Sequence, residues 1–256
     1  METKEQKAPE TFRLKNAPII EAVLDIDCDM PAGFSLMALE TKARESFRAE
    51  YPQFKVRLLE KHQIEQTIDQ PPKHSTKRGL QALQFLHEDG KQLVQIRAGG
   101  FSFNRLEPYA SLDEYLPEIE RTWRLFLALA SPVKIQAVHL RYINRILLPA
   151  ESGVELGDYL TICDDLPVDS ELNFIGFLNQ RTALERATGH FINTVIATQP
   201  IGNEHLPVIF DITVRANGPS DPENWTWILE KLRLLRRLKN RVFENTLTKK
   251  CLSLFQ

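Results

Sequence analysis

The chain has 256 residues, 43% of them hydrophobic and 26% charged, and its 32 basic and 34 acidic side chains leave a formal net charge of -2. That size and apolar content suffice for one large domain or two closely packed halves with a real core. The balanced charge supplies no global attraction for nucleic acid or anionic membrane, so a DNA-coating role is excluded and any such contact has to come from a local patch.

Residues 1–13 are polar and read as a flexible N-terminus. They contain no apolar leader segment, and no run of about 18 apolar residues follows anywhere, so the expectation is a cytoplasmic protein without a membrane span. Cys28, Cys163 and Cys251 are odd in number and in no CxxC pair, which fits reduced thiols rather than disulfides or a zinc site. PIIEAVLDID reads as a strand with Ile20, Ala22, Leu24, Ile26 and Cys28 on one face. FSLMALETKARESFRAEY then carries Leu36, Leu39, Ala43, Phe47 and Tyr51 at helical spacing and is stopped by Pro52. Three strand-like runs follow: FKVRLLEKHQIEQTI, LQALQFLHE and KQLVQIRAGGFSF. QPPKHSTKRG reads as a loop between the first two, Asp89-Gly90 as a hairpin turn, and Gly99-Gly100 as a bulge. The second helix opens at Ser111 and Glu114 with capping-box spacing, and Pro117 is expected to break it near its start.

The order then repeats. VKIQAVHLRYINRILLP is a long strand, VELGDYL a short helix, and ELNFIGFLNQRTALERA, HFINTVIATQ and PVIFDITVRA are three more strands before the closing helix WTWILEKLRLLRRLKNRVFENTLTKK. Two β-α-β3-α halves, 14–132 and 133–256, are thus expected to pack as one α+β domain. They would form one long curved antiparallel sheet with helices on one face, like the saddle of the TATA-binding protein in architecture only.

Several segments carry a resemblance: NAPIIEA after Leu14, Tyr51-Pro52, SFNRLEPYASLDEY, LRYINRILLP, VELGDYL and RVFENTLTKK. From Leu14 to about Lys250 the chain resembles a sporadically distributed prokaryotic family of uncharacterised proteins of about this length, most specifically through FNRLEPY and RYINRI. The resemblance implies no reaction, cofactor or catalytic residue. Its sporadic distribution implies horizontal transfer, which is common for defence, toxin-antitoxin and phage-related loci.

The residues themselves direct attention to HLRYINRI. Alternation sends Val138, Leu140, Tyr142, Ile146 and Leu148 toward the helices, with Asn144 among them, and His139, Arg141, Ile143 and Arg145 to the opposite face. Glu21, Asp25 and Asp27 occupy that face of the first strand. They are the expected internal counter-charges, because half-buried arginines usually have carboxylate partners. The alternative is a positive groove of Arg97, Arg141, Arg145 and Arg215 for phosphate or an acidic partner. Phe101, Phe103 and Tyr109 beside Arg105 could stack bases, although core phenylalanines and an arginine bracing the strand-to-helix connection explain them as well. Arg233, Arg236, Arg237 and Arg241 form a basic series on the last helix that reads as a solvated face.

No P-loop, GxGxxG, GxSxG or HExxH occurs, and the six histidines are scattered singly. No cofactor, catalytic residue or metal site is therefore expected, although Asp164, Asp165 and Asp211 could contribute to a magnesium site. Three functions remain open. The first is a non-catalytic binding or assembly protein whose polar sheet face engages a partner protein encoded nearby, or nucleic acid. The second is a metal-dependent enzyme acting on nucleotides or phosphate esters. The third is a homodimeric scaffold built on the last helix.

Overall fold

Apolar residues at every second position of the longest strands dictate a sheet with one buried face, and the computed structural model, describing residues 14–65, 73–149, 154–162, 176–200 and 205–256, shows how that face is covered. In chain order the elements are β1 (Ile19–Asp29), α1 (Leu36–Phe47), β2 (Gln53–Glu65), β3 (Lys73–Leu86), β4 (Gln92–Arg97), β5 (Gly100–Leu106) and α2 (Leu112–Ala130). They continue with β6 (Lys134–Pro149), a single 3-10 turn at Leu156–Asp158, β7 (Leu178–Leu184), β8 (Phe191–Thr198), β9 (His205–Ser220), α3 (Trp225–Thr246) and α4 (Lys249–Ser253). All nine strands join one antiparallel, curved sheet in the order β2-β3-β4-β5-β1-β6-β9-β8-β7. The two opening strands are central neighbours, with Leu24 opposite Leu140 and Ile26 opposite Val138.

The core draws on one sheet face only. Ala22, Leu24, Ile26 and Cys28 of β1 meet Val138, Leu140, Tyr142, Ile146 and Leu148 of β6 and Val208, Phe210, Ile212, Val214 and Ala216 of β9 in one cluster with the buried residues of all four helices. Each such apolar side chain removed from water contributes roughly 1.5–3 kcal/mol, which is what holds helices to sheet. In α2, Ile119, Trp123, Phe126, Leu127 and Ala130 recur at helical spacing and are all buried. Trp123 stacks edge-on against Phe101 at 5.6 Å and donates its indole N–H to the Pro222 carbonyl at 3.1 Å, tying α2 to the connection before α3. Cys28 is core as expected, and burial pushes its thiol up to about 12. Among the described residues no helix is long and apolar enough to cross a membrane.

Several local expectations are corrected. KQLVQIRAGGFSF is a hairpin rather than one bulged strand: β4 and β5 meet through Ala98-Gly99, with Arg97 opposite Gly100, so four strands follow α1. Gly100 adopts a φ of +144°, and a Cβ there would stand 2.1 Å from the Ile26 carbonyl oxygen of β1. Glycine is needed here because backbone passes against backbone. Lys73 to Gly79, read as loop, belong to β3, since pairing with β2 from Leu58↔Leu80 to Glu65↔Lys73 overrides their loop-like composition; 70–72 lie outside the described residues. Pro117 does not interrupt α2, which runs through it. VELGDYL forms one 3-10 turn and a bridge from Leu160 to Leu247. The closing helix stops at Thr246, and Thr248 caps α4 separately by accepting from the Cys251 amide. The flexible N-terminus, Cys163, Asp164 and Asp165 lie outside the described residues.

Candidate functional site

Opposite the core, the sheet presents a face on which the side chains line up in rows across the strands. One row runs Leu184, Phe191, Arg215, His139, Asp25, Ser102, Gln95 and Gln84, read from β7 to β3. Every polar candidate of β1, β4, β6 and β9 named from the sequence lies on this face, because strict alternation places it there.

On the β1–β5 side these groups engage one another, with the Arg97 Nε left without a hydrogen-bond partner among the described residues. Arg97 donates to Asp27 Oδ1 at 2.8 Å and to the Ile26 and Phe101 carbonyls, and its Nε lies 3.8 Å from Asp25. His139 from β6 donates its Nε2–H to the other oxygen of Asp27 at 2.8 Å. Burial alone would raise the Asp27 carboxyl, but the bonds from His139 and Arg97 outweigh it and hold the group far below the usual carboxylate range. Ser102 donates to Asp25. A relay of side chains then links four strands: Gln84 donates to Gln95 at 2.9 Å, Gln95 to Asn104 at 2.9 Å, and Asn104 to Glu21 at 2.7 Å. Gln95, Ser102 and Asn104 are buried, so these partners are what make their position tolerable.

The arginine pairing departs from the expected ladder. Arg141 makes a bidentate pair with Asp211 of β9, with contacts of 3.0 and 2.6 Å, whereas Glu21 receives an amide. Asp211 was legible only as a possible magnesium ligand. The signal for its actual partner was its place on the same alternating face as Arg215. Among the described residues no three His, Cys, Asp or Glu side chains gather as a metal site.

Arg105 is not part of this face. It points to the helix side of β5, pairs with Asp89 at 2.7 Å and lies over the Tyr115 ring, bracing the strand-to-helix connection while Phe101 and Phe103 fill the core. The basic series on α3 is likewise divided. Arg233 and Arg237 are exposed, Arg241 pairs with Glu185, and Arg236 turns inward to Asp113 at 2.7 Å.

What remains is on the β6–β9 side. Arg145 and Arg215 are exposed and have no ion pair or side-chain hydrogen bond among the described residues. Each stands at the head of an apolar row running to the edge strand β7: Arg215 beside Phe191 and Leu184, Arg145 beside Ile209, Ala197 and Leu178. Leu178, Leu184 and Phe191 are 69%, 57% and 41% exposed, and Leu147 is 47% exposed. The sequence reading missed these apolar positions; the available signal was that β8 carries apolar residues on both of its faces, Phe191, Val195 and Ala197 as well as Ile192 and Ile196. The rows are six residues apart along β9, from Ile209 to Arg215, or about 20 Å at roughly 3.4 Å per residue. Protein-family models, curated proteins and solved structures were each compared with this chain, and none matches.

Proposed function

We propose that this chain is a non-catalytic cytoplasmic binding or assembly protein, belonging to a mobile prokaryotic locus, that engages a protein partner on the open face of β6–β9. The observation that carries the reading is the pair of arginines with no counter-ion among the described residues, each leading an apolar row that ends in an exposed leucine of β7. Such a surface suits a segment presenting acidic residues about 20 Å apart with leucine- or phenylalanine-like side chains alongside, and arginine with aromatic neighbours is the composition of binding hot spots. Nucleic acid is less well served. Arg97 and Arg141 already hold carboxylates, and the two arginines without a partner among the described residues would neutralise about two phosphates, too few for more than a shallow salt dependence. The metal-dependent alternative meets an obstacle in Asp211, whose carboxylate is engaged on both oxygens by Arg141.

The test is selection of displayed peptides on the wild-type protein with counter-selection on the Arg145→Glu, Arg215→Glu double variant. Enrichment of acidic-apolar peptides whose affinity falls about tenfold or more on the variant supports the reading. Selected peptides indifferent to the two arginines, or labelled single- or double-stranded nucleic acid that binds through them at low salt, would overturn it.

A further inference from the structure

The helix-covered side of the sheet holds a cavity of about 340 Å³ between the start of β1, the first turn of α2, β6 and α3. That is at the lower end of the range for small-ligand sites, roughly 300–1,000 Å³. Leu14, Ile19, Leu112 and Phe243 give it apolar walls, and Tyr109, Tyr142, Arg236 and Lys239 bring polar groups to it.

Lys239 is the anomaly among them. It occupies the α3 face that carries Leu232 and Leu235, so it lies beneath the helix rather than in solvent. Its Nζ sits 4.1 Å from the centroid of the Tyr142 ring. Among the described residues it has no carboxylate partner and no hydrogen-bond acceptor. Arg236, the other cation, is held by Asp113 at 2.7 Å, and the Tyr142 hydroxyl is engaged with that of Tyr109 at 3.2 Å. Burial lowers the Lys239 ammonium to about 8; Arg236 pushes the same way and Glu244 opposes it. A half-buried ammonium with three donors, whose one contact among the described residues is an aromatic face, calls for an acceptor.

We propose that this cavity is a binding site for a small organic monocarboxylate. Its carboxylate bonds to Lys239 at the α2 N-terminus, and its apolar body lies against Ile19, Leu112 and Phe243. Ser111 uses its hydroxyl to cap the Glu114 amide, so the Leu112 and Asp113 amides of the first turn remain as orphan donors for a ligand oxygen. Lys239 has no counter-ion among the described residues, and Glu114, the second carboxylate of the lining, is met by the Ser111 hydroxyl, so the site suits no more than a single negative charge. A dianionic phosphate would need the second cation, Arg236, which Asp113 already occupies. This site is on the opposite side of the sheet from the proposed partner surface and stands independently of it.

The experiment is competitive trace acetylation of the full chain, followed by mass spectrometry of the Lys239 peptide across a pH series, with benzoate, hexanoate and inorganic phosphate as probes. Lys239 is expected to titrate near pH 8. A carboxylate present at about ten times its Kd should slow its labelling about tenfold and leave the other lysines unchanged. A thermal upshift with the same carboxylate should vanish in Lys239→Met; if that variant does not fold, the labelling of the wild-type chain decides alone. No protection by either carboxylate, or equal protection by inorganic phosphate, overturns the proposal.

Discussion

The two sides of the open sheet face are built from the same alternation and end in opposite states. On β3–β5 and β1, Gln84, Gln95, Asn104, Glu21, Ser102, Asp25, Asp27 and Arg97 are joined into hydrogen-bonded sets reinforced by His139, in which the Arg97 Nε is the one buried side-chain atom without a hydrogen-bond partner among the described residues. On β6–β9 one closed pair, Arg141 with Asp211, is flanked by two arginines with no partner among the described residues and by exposed Leu178, Leu184 and Phe191. A polar strand face is therefore a poor guide to a binding surface until its partners are known. The satisfied side behaves as core made of polar groups, where losing one member leaves another buried and unmet. The other side carries the exposed groups that the proposed partner would cover.

That contrast can be broken first at its most constrained point. Gly100→Ala, on the satisfied side, drives a methyl against the Ile26 carbonyl and should cost about 3 kcal/mol or more, the upper end for single substitutions, measured by denaturant unfolding. A cost below about 1 kcal/mol would mean that β1 and β5 separate easily there. Next in size is Asp27→Asn, which takes the hydrogen-bonded carboxylate from Arg97, leaving it only Asp25 at 3.8 Å, and from His139. We expect a loss of about 2 kcal/mol, given that the pair is only partly buried. The same carboxyl sets an acid limit. Its folded value lies below its ordinary 3.8, so its stabilisation is complete above that value and is lost as the pH falls through the folded value. Thermal midpoints measured from pH 6 downward should accordingly drop for the wild type more steeply than for Asp27→Asn. The smallest effect belongs to the other side: Phe191→Ser with Leu184→Ser should change stability by no more than about 0.5 kcal/mol while removing the proposed peptide binding. A large loss of stability from that pair would erase the distinction between the two sides.

Much of this architecture is written in local residue order. The alternation of β1 and β6 assigns Leu24, Leu140 and Tyr142 to one face and Asp25, Arg141 and Arg145 to the other, and the structure keeps each assignment. Ser111 marks the start of α2, and the heptad-like recurrence from Ile119 to Ala130 marks its buried side. These features depend on neighbours within a few residues, which is the distance over which strand and helix periodicity acts. Composition failed where pairing overrode it, as at Lys73 to Gly79, whose loop-like residues are held extended by β2.

By itself, then, the sequence determined the class of fold, the two faces of its central strands and the set of charged residues sharing the open face. Tertiary structure alone decided which of those charges cancel. Arg141 meets Asp211, 70 positions away, Arg97 meets Asp27, 70 positions away, and Arg145 and Arg215 meet no counter-ion among the described residues. Alternation specifies the face of a side chain, but its neighbour across the sheet follows from strand order and register, which the packing of all nine strands and their helices sets together. Lys239 shows the same limit on the helix side: it lies between Arg237 and Arg241 of the series that reads as a solvated face, and only the position of β6 beneath α3 puts its ammonium over Tyr142.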